Sequence, residues 1–431
     1  MKSKWFRRML AGALSAAFCC GMLTGCGKGV EQTNTELNLY VTENGYGSVI
    51  QAIRYFRQKY PDIVLNENII QEADMETYYD SLSGSLMTGK NIPDIVIVDY
   101  NFMEYCDIYK MEQAGGFIDL NTLISEDVEF DASKYNAGVV NGLQYKENQY
   151  LYPIAYSLPY VMSTEENLME LGITKEQFQS LNVLEFFELV NRKTEELGLS
   201  VDEVVSGILN TERQHINLLY PNWYLPQTVD FAEQTFSLDT GKMLTLIENM
   251  RVLQDSTPDT SNMTALMYAV PVFNENCVQR YTKNALDSDE TPVLSCLTDM
   301  DGNINAAVWL AAAIPVLSPN QQNAYLFLKS LLAEEVQSYH YDGIGVGFTG
   351  LDTQVLVGGN HFWVKAPYAY KEYQPIRKQD LAYQGKITGS FLYSEWSGLL
   401  MDKAKQYYAG NCTAEQALED AEKKLKIYVS E

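Results

Sequence analysis

Thr35 to Thr42 alternates apolar Leu37, Leu39 and Val41 with polar neighbours, the period-two pattern of a strand with one buried face. Asn44-Gly45-Tyr46-Gly47 interrupts it as a turn. Val49, Ile50, Ile53 and Phe56 then share one face of a helix that Pro61 closes. Ile63 to Ile70 reads as a second strand, and Met75, Tyr78, Tyr79, Leu82 and Leu86 mark a second helix. Pro93 introduces Asp94-Ile95-Val96-Ile97-Val98, a continuous apolar run of the kind buried on both faces. Strand, helix, strand, helix, strand predicts an α/β domain with parallel pairing.

Helical spacing returns at Leu184, Phe187 and Val190, and again at Met243, Leu246, Ile247, Met250 and Leu253. Thr298 to Asn303 predicts a hairpin turn leading into the apolar run Ala306 to Val316. Ser318-Pro319-Asn320-Gln321 predicts a capping box with proline at the first helical position, before a helix carrying Ala324, Leu328, Leu331 and Leu332. Thr413-Ala414-Glu415-Gln416 predicts a second box, opening a helix with Leu418, Ala421, Leu425 and Val429 on one face. No internal repeat and no long Pro/Gly/Ser linker separates these segments, so two lobes would be joined by ordered crossings.

The first 25 residues read differently. Lys2, Lys4, Arg7 and Arg8 precede the charge-free run Met9 to Leu23, whose 15 residues are short for a spanning helix and right for a signal sequence. The run ends in Leu23-Thr24-Gly25-Cys26, which resembles a bacterial lipobox. That resemblance implies cleavage after residue 25, a diacylglycerol on Cys26, and a short polar tether over residues 26–35.

The 431-residue chain carries 31 Lys and Arg against 56 Asp and Glu, a formal charge of −25. Losing the four basic residues of the signal would leave 27 against 56, or −29. This balance excludes nucleic acid as a partner, because phosphate binding needs clustered Lys and Arg. With 46% apolar and 20% charged residues the chain is composed like a folded protein, not a disordered one. Cys106, Cys277, Cys296 and Cys412 remain beyond the signal. They can pair in up to three full connectivities or stay as buried thiols, and the sequence leaves both open. Three scattered histidines and no CxxC argue against a metal site. Asp299 to Asn305 has calcium-loop residue types but lacks Gly at the sixth place and has Leu310 at the twelfth, so it reads as a turn. No cofactor is expected.

Several stretches, in this order, resemble the extracellular solute-binding proteins of family 1, the lipoproteins that serve ABC importers and include maltose-binding proteins. They are Asn91-Ile92-Pro93-Asp94 with the strand that follows, Tyr145 to Ile154, Trp309 to Val316 with Ser318-Pro319-Asn320, and Ala409 to Thr413 with Ala417-Leu418. The resemblance implies a two-lobed α/β fold of the periplasmic-binding-protein type (type II), with the ligand cleft between the lobes. It divides the chain into a first lobe of residues 36–145 and about 293–345, and a second of residues 146–292 and about 346–431. It implies a monomer, anchored to the membrane through lipid alone on the extracytoplasmic face, that passes a small solute, foremost a carbohydrate, to an importer permease. Ser163-Thr164 departs from the family's usual Tyr-Asn, and residues 254–292 carry no family signature.

Open α/β sheets bind ligands beyond the carboxyl ends of their strands. Two such turns offer Asn44 and Tyr46, and Asp99, Tyr100 and Asn101, and both match polar positions of the family. Asp99 serves equally as a helix N-cap, and Tyr46 as a solvated turn residue. Sugars also pack their C–H faces on aromatic rings. By family position the candidates are Trp223, Tyr224, Trp309 and Trp396, each of which also suits an ordinary core. No HExxH, GxSxG or SxxK motif supports catalysis, although a carboxylate-pair glycosidase and a non-sugar ligand stand as competing readings.

Overall fold

A computed structural model describes residues 35–43, 45–206, 229–230, 235–236, 239–251, 265–269, 275–337, 355–356, 374–392 and 395–430. The chain begins with β1 (Glu36–Thr42), α1 (Tyr46–Lys59), β2 (Val64–Ile70), α2 (Met75–Thr88) and β3 (Ile95–Val98). It continues through α3 (Tyr100–Tyr105), α4 (Ile108–Gln113) and α5 (Ala137–Asn141) to β4 (Leu151–Ser157) and β5 (Tyr160–Thr164). Next come α6 (Val183–Leu197), β6 (Val205–Ser206), the pair β7 (Val229–Asp230) and β8 (Thr235–Phe236), α7 (Thr240–Asn249), β9 (Met267–Ala269) and β10 (Pro292–Cys296). The last part holds β11 (Ile304–Ala313), α8 (Gln321–Leu331), β12 (Val355–Leu356), α9 (Gln374–Gln384), β13 (Ile387–Leu392), α10 (Glu395–Tyr408) and α11 (Ala414–Ser430).

These strands form two principal sheets. The larger runs β12-β4-β11-β3-β1-β2, with β13 also on β11, and the smaller runs β10-β5-β9-β6. As the alternation predicts, β1 pairs in parallel with both β2 and β3. Its Leu37, Leu39 and Val41 are buried, as are Val49, Ile53 and Phe56 of α1. The Phe56 ring meets Phe327 of α8 edge-on at 5.4 Å. Each such side chain contributes about 1.5–3 kcal/mol on burial. All four residues of β3 and all ten of β11 are buried, which explains their unbroken apolar runs.

Among the described residues three short connections join the two sheets. Only Leu158 and Pro159 separate β4 from β5, residues 297–303 separate β10 from β11, and Gly385 and Lys386 separate α9, which packs on β10, from β13. The turn expected at 298–303 is present, with the Asp299 N–H donating to the Asn303 carbonyl at 2.8 Å. It is not a hairpin, because its flanking strands belong to different sheets. The Asp299 carboxylate accepts from the backbone N–H of Asp301 and Asn303 and from both amide side chains of Asn303 and Asn305.

The box expected at Ser318 takes another form. The helix starts at Gln321, and Ser318 bonds elsewhere. Its hydroxyl donates to Asp94 at 2.7 Å, and the Asn320 amide donates to the same carboxylate at 2.9 Å. Asn38 gives Asp94 two more, from its backbone N–H at 2.7 Å and its side chain at 2.9 Å. Asp94 is fully buried, and a charged acceptor outcompetes a helix end for these donors. The box at Thr413 forms as expected, reciprocally with Gln416. Among the described residues Cys106, Cys296 and Cys412 form no disulfide with one another, and Cys106 and Cys296 are buried. The Cys277 side chain lies outside the described residues.

Candidate functional site

Parallel pairing brings the carboxyl ends of β1 and β3 side by side. A relay of hydrogen bonds fixes the turns that follow them. The Gly45 N–H donates to Thr42 Oγ1 at 2.9 Å, the Thr42 hydroxyl donates to Asp99 Oδ2 at 3.0 Å, and Asp99 Oδ1 accepts the Phe102 N–H at 2.9 Å. Asp99 therefore caps α3, and it is 7% exposed. At Gly45 the constraint is space: a Cβ there would stand 2.1 Å from Asp99 Oδ2 and 2.8 Å from Thr42 Oγ1. Thr42 and Gly45 escaped the sequence reading, which treats the glycine as a turn former; the closing contact comes from a strand more than fifty residues later.

Tyr46 opens α1, and its hydroxyl donates to Glu67 Oε2 at 2.7 Å. Glu67 also pairs with the Arg57 guanidinium. The bond to Glu67, with burial behind it, raises the Tyr46 hydroxyl above its ordinary value. The ring is half-buried against the core, so Tyr46 is a braced residue and not a solvated one.

Behind the two turns stands a set of aromatic rings. Tyr40 stacks on Tyr78 at 5.7 Å, Tyr79 stacks on Tyr105 at 5.4 Å, and Tyr79 meets Phe102 edge-on at 5.5 Å. Burial pushes the hydroxyls of Tyr78 and Tyr79 well above the ordinary tyrosine range, so both stay neutral. A recess bounded by Tyr40, Thr42, Tyr78, Tyr79, Asp99 and Phe102 holds about 10 Å³ of free volume, room for one water molecule. That is far too small for a solute, so the rings buttress the turns.

Trp309 lies on β11 and is 3% exposed within the core. Tyr100 and Asn101 open α3, and Trp396 lies near the start of α10; their side chains are outside the described part of the structure. Asn44, Trp223 and Tyr224 are outside it altogether. Among the candidates, the described residues thus bring Asp99 and the turn before Tyr46 together, and place Trp309 in the interior. Among the described residues no group of three or more His, Cys, Asp or Glu is placed to hold a metal ion, and no helix is long and apolar enough to cross a membrane.

In sequence, no family model and no curated protein matches the chain. In structure it is similar to an extracellular solute-binding protein of family 1 from Alicyclobacillus acidocaldarius, with a TM-score of 0.58 at 12% identity over 92% of this chain and 98% of that one. It is similar to an ABC substrate-binding protein from Listeria monocytogenes in complex with cycloalternan, with a TM-score of 0.57 at 14% identity over 92% and 99%. It is similar as well to the sugar-binding protein MalE from Xanthomonas citri, with a TM-score of 0.63 at 10% identity over 92% and 98%. The chain has the two-lobed α/β fold of these solute-binding proteins.

Proposed function

We propose that this protein is an extracytoplasmic solute-binding protein that captures a carbohydrate in the cleft between two lobes and delivers it to an ABC importer. The observation that carries the reading is the fold, shared over about 92% of the chain with proteins solved as sugar binders. The two sheets would be the cores of the two lobes, and the connections between them would belong to the hinge. The braced turns after β1 and β3 would line the first-lobe wall, with Asn44, Tyr100 and Asn101 presenting polar groups to sugar hydroxyls. Trp223, Tyr224 and Trp396 would supply ring faces from the other side, and Trp309 would back the wall from within. Cys26 would carry the lipid anchor. The acidic balance supports a second reading, in which the same fold carries a cation such as a polyamine.

A thermal-shift screen of residues 27–431 against maltodextrins, cyclic glucans, other oligosaccharides, polyamines and peptides tests this. A ligand at one hundred times its Kd stabilises the native state by about 2.7 kcal/mol, which a melting curve resolves. A saturable shift with a glycan recovered intact is the expected result. A shift with polyamine or peptide alone overturns the sugar, and a glycan recovered as hydrolysis products overturns the binding role.

A further inference from the structure

The helices α10 and α11 form a hairpin on the side of the smaller sheet. Lys403 pairs with Asp420 at 3.0 Å within the hairpin, and the Tyr408 hydroxyl donates to the Ile247 carbonyl of α7 at 2.9 Å. α11 itself packs on α7 and β8. Its last turn, however, reaches an element of the larger sheet. The Tyr428 hydroxyl donates to the Asp107 carboxylate. The Lys110 ammonium donates to the Tyr428 carbonyl at 2.6 Å and sits 4.8 Å from the centre of the same ring. Asp107 is the N-cap of α4, accepting the Lys110 N–H at 3.2 Å. α4 is in turn bound to the larger sheet, where the Leu392 N–H of β13 donates to the Tyr109 hydroxyl at 3.2 Å.

α11 is therefore held at one end by the second lobe and at the other by the first. It is a non-covalent link between them, beside the covalent crossings. A rotation of the lobes about the crossings cannot leave both ends of a rigid helix in place. We infer that α11 is a strap: the seat of Tyr428 on α4 holds the lobes at their present angle, and a change of lobe angle requires that seat to be released. The inference rests on the reading of the two sheets as lobes that move in binding, and a different readout tests it.

The test is pulsed electron–electron resonance on ligand-free protein, with Cys277 and Cys412 replaced by serine and spin labels on Ser81→Cys of α2 and Glu188→Cys of α6. Tyr428→Phe removes one hydroxyl, and Lys110→Met removes the ammonium with little change in bulk. Each is expected to add a second distance population or to displace the mean, while Lys403→Met, which breaks a tie inside the hairpin, leaves the distribution as in the parent. Distributions for Tyr428→Phe and Lys110→Met that superimpose on the parent, in variants that melt cooperatively, would overturn the strap. Because no ligand is added, this result is independent of the glycan screen: binding with an immobile distance sinks the strap alone, and a moving distance without glycan binding sinks the sugar alone.

Discussion

Glu112 is 4% exposed at the end of α4, and one of its oxygens finds no hydrogen-bond partner among the described residues. Burial first, and then the charge of Asp107, pushes its carboxyl from an ordinary 4.5 up to about 8. The unfolded chain releases this proton near pH 4.5, whereas the folded chain keeps it until about pH 8. The stability that neutral Glu112 contributes is thus complete below pH 4.5 and is lost as pH rises through 8. Glu112→Gln keeps the shape without the ionisation. It should gain on the order of 2 kcal/mol over the parent at pH 8 and little at pH 4.5, as urea denaturation at the two pH values will show; parallel curves would refute the assignment. At this scale the sequence was legible only in part. Asp99 carried two readings, and the cap is the one the geometry displays. Tyr46 likewise carried two readings, a ligand contact and a solvated turn residue, and neither foresaw its bond to Glu67, which stands mid-strand where alternation alone gives no reason for a carboxylate.

The elements were more legible, because each rests on local pattern. β1, α1, α2 and β3 fall where period and punctuation put them, and the Thr413 box closes as written. Along α6 the buried residues are Val183, Phe186, Phe187, Leu189 and Val190, with Leu184 half-buried at their margin, one residue round from the expected stripe. Ser318 misled for a definite reason: its real partner, Asp94, lies 224 residues away. The docking of α5 was equally hidden. It rests on β13 through two glycines four apart. A Cβ on Gly138 would stand 2.1 Å from the Ile387 carbonyl oxygen, and one on Gly142 would stand 2.1 Å from the Ser390 nitrogen. Strand backbone cannot yield as a flexible side chain does. Gly142→Ala should therefore cost about 1–3 kcal/mol of stability despite its better helix propensity. Equilibrium denaturation decides it, and an unchanged midpoint would mean that the helix can stand off the strand.

On the scale of the whole molecule, the sequence indicated parallel α/β layers and, through resemblance, two lobes, but not the order of strands. That order depends on partners hundreds of residues apart. β3 and β4 are consecutive strands of the larger sheet, yet they do not pair; β11 lies between them, antiparallel to both, with Ala311 opposite Val98 on one side and Pro153 on the other. A chain ending at residue 300 would lack this wedge along with Ser318 and Asn320, two of the residues that satisfy buried Asp94. Such a fragment should show no cooperative melting transition by circular dichroism, and a sharp transition would contradict the arrangement. The same feature sets a schedule for synthesis. The amino-terminal third of the protein leaves the ribosome with its sheet split and its central gap open, and closes only after β11, residues 304–313, arrives. If residues 1–25 act as the export signal that their pattern predicts, such late closure keeps the nascent chain threadable until most of its length is ready to cross.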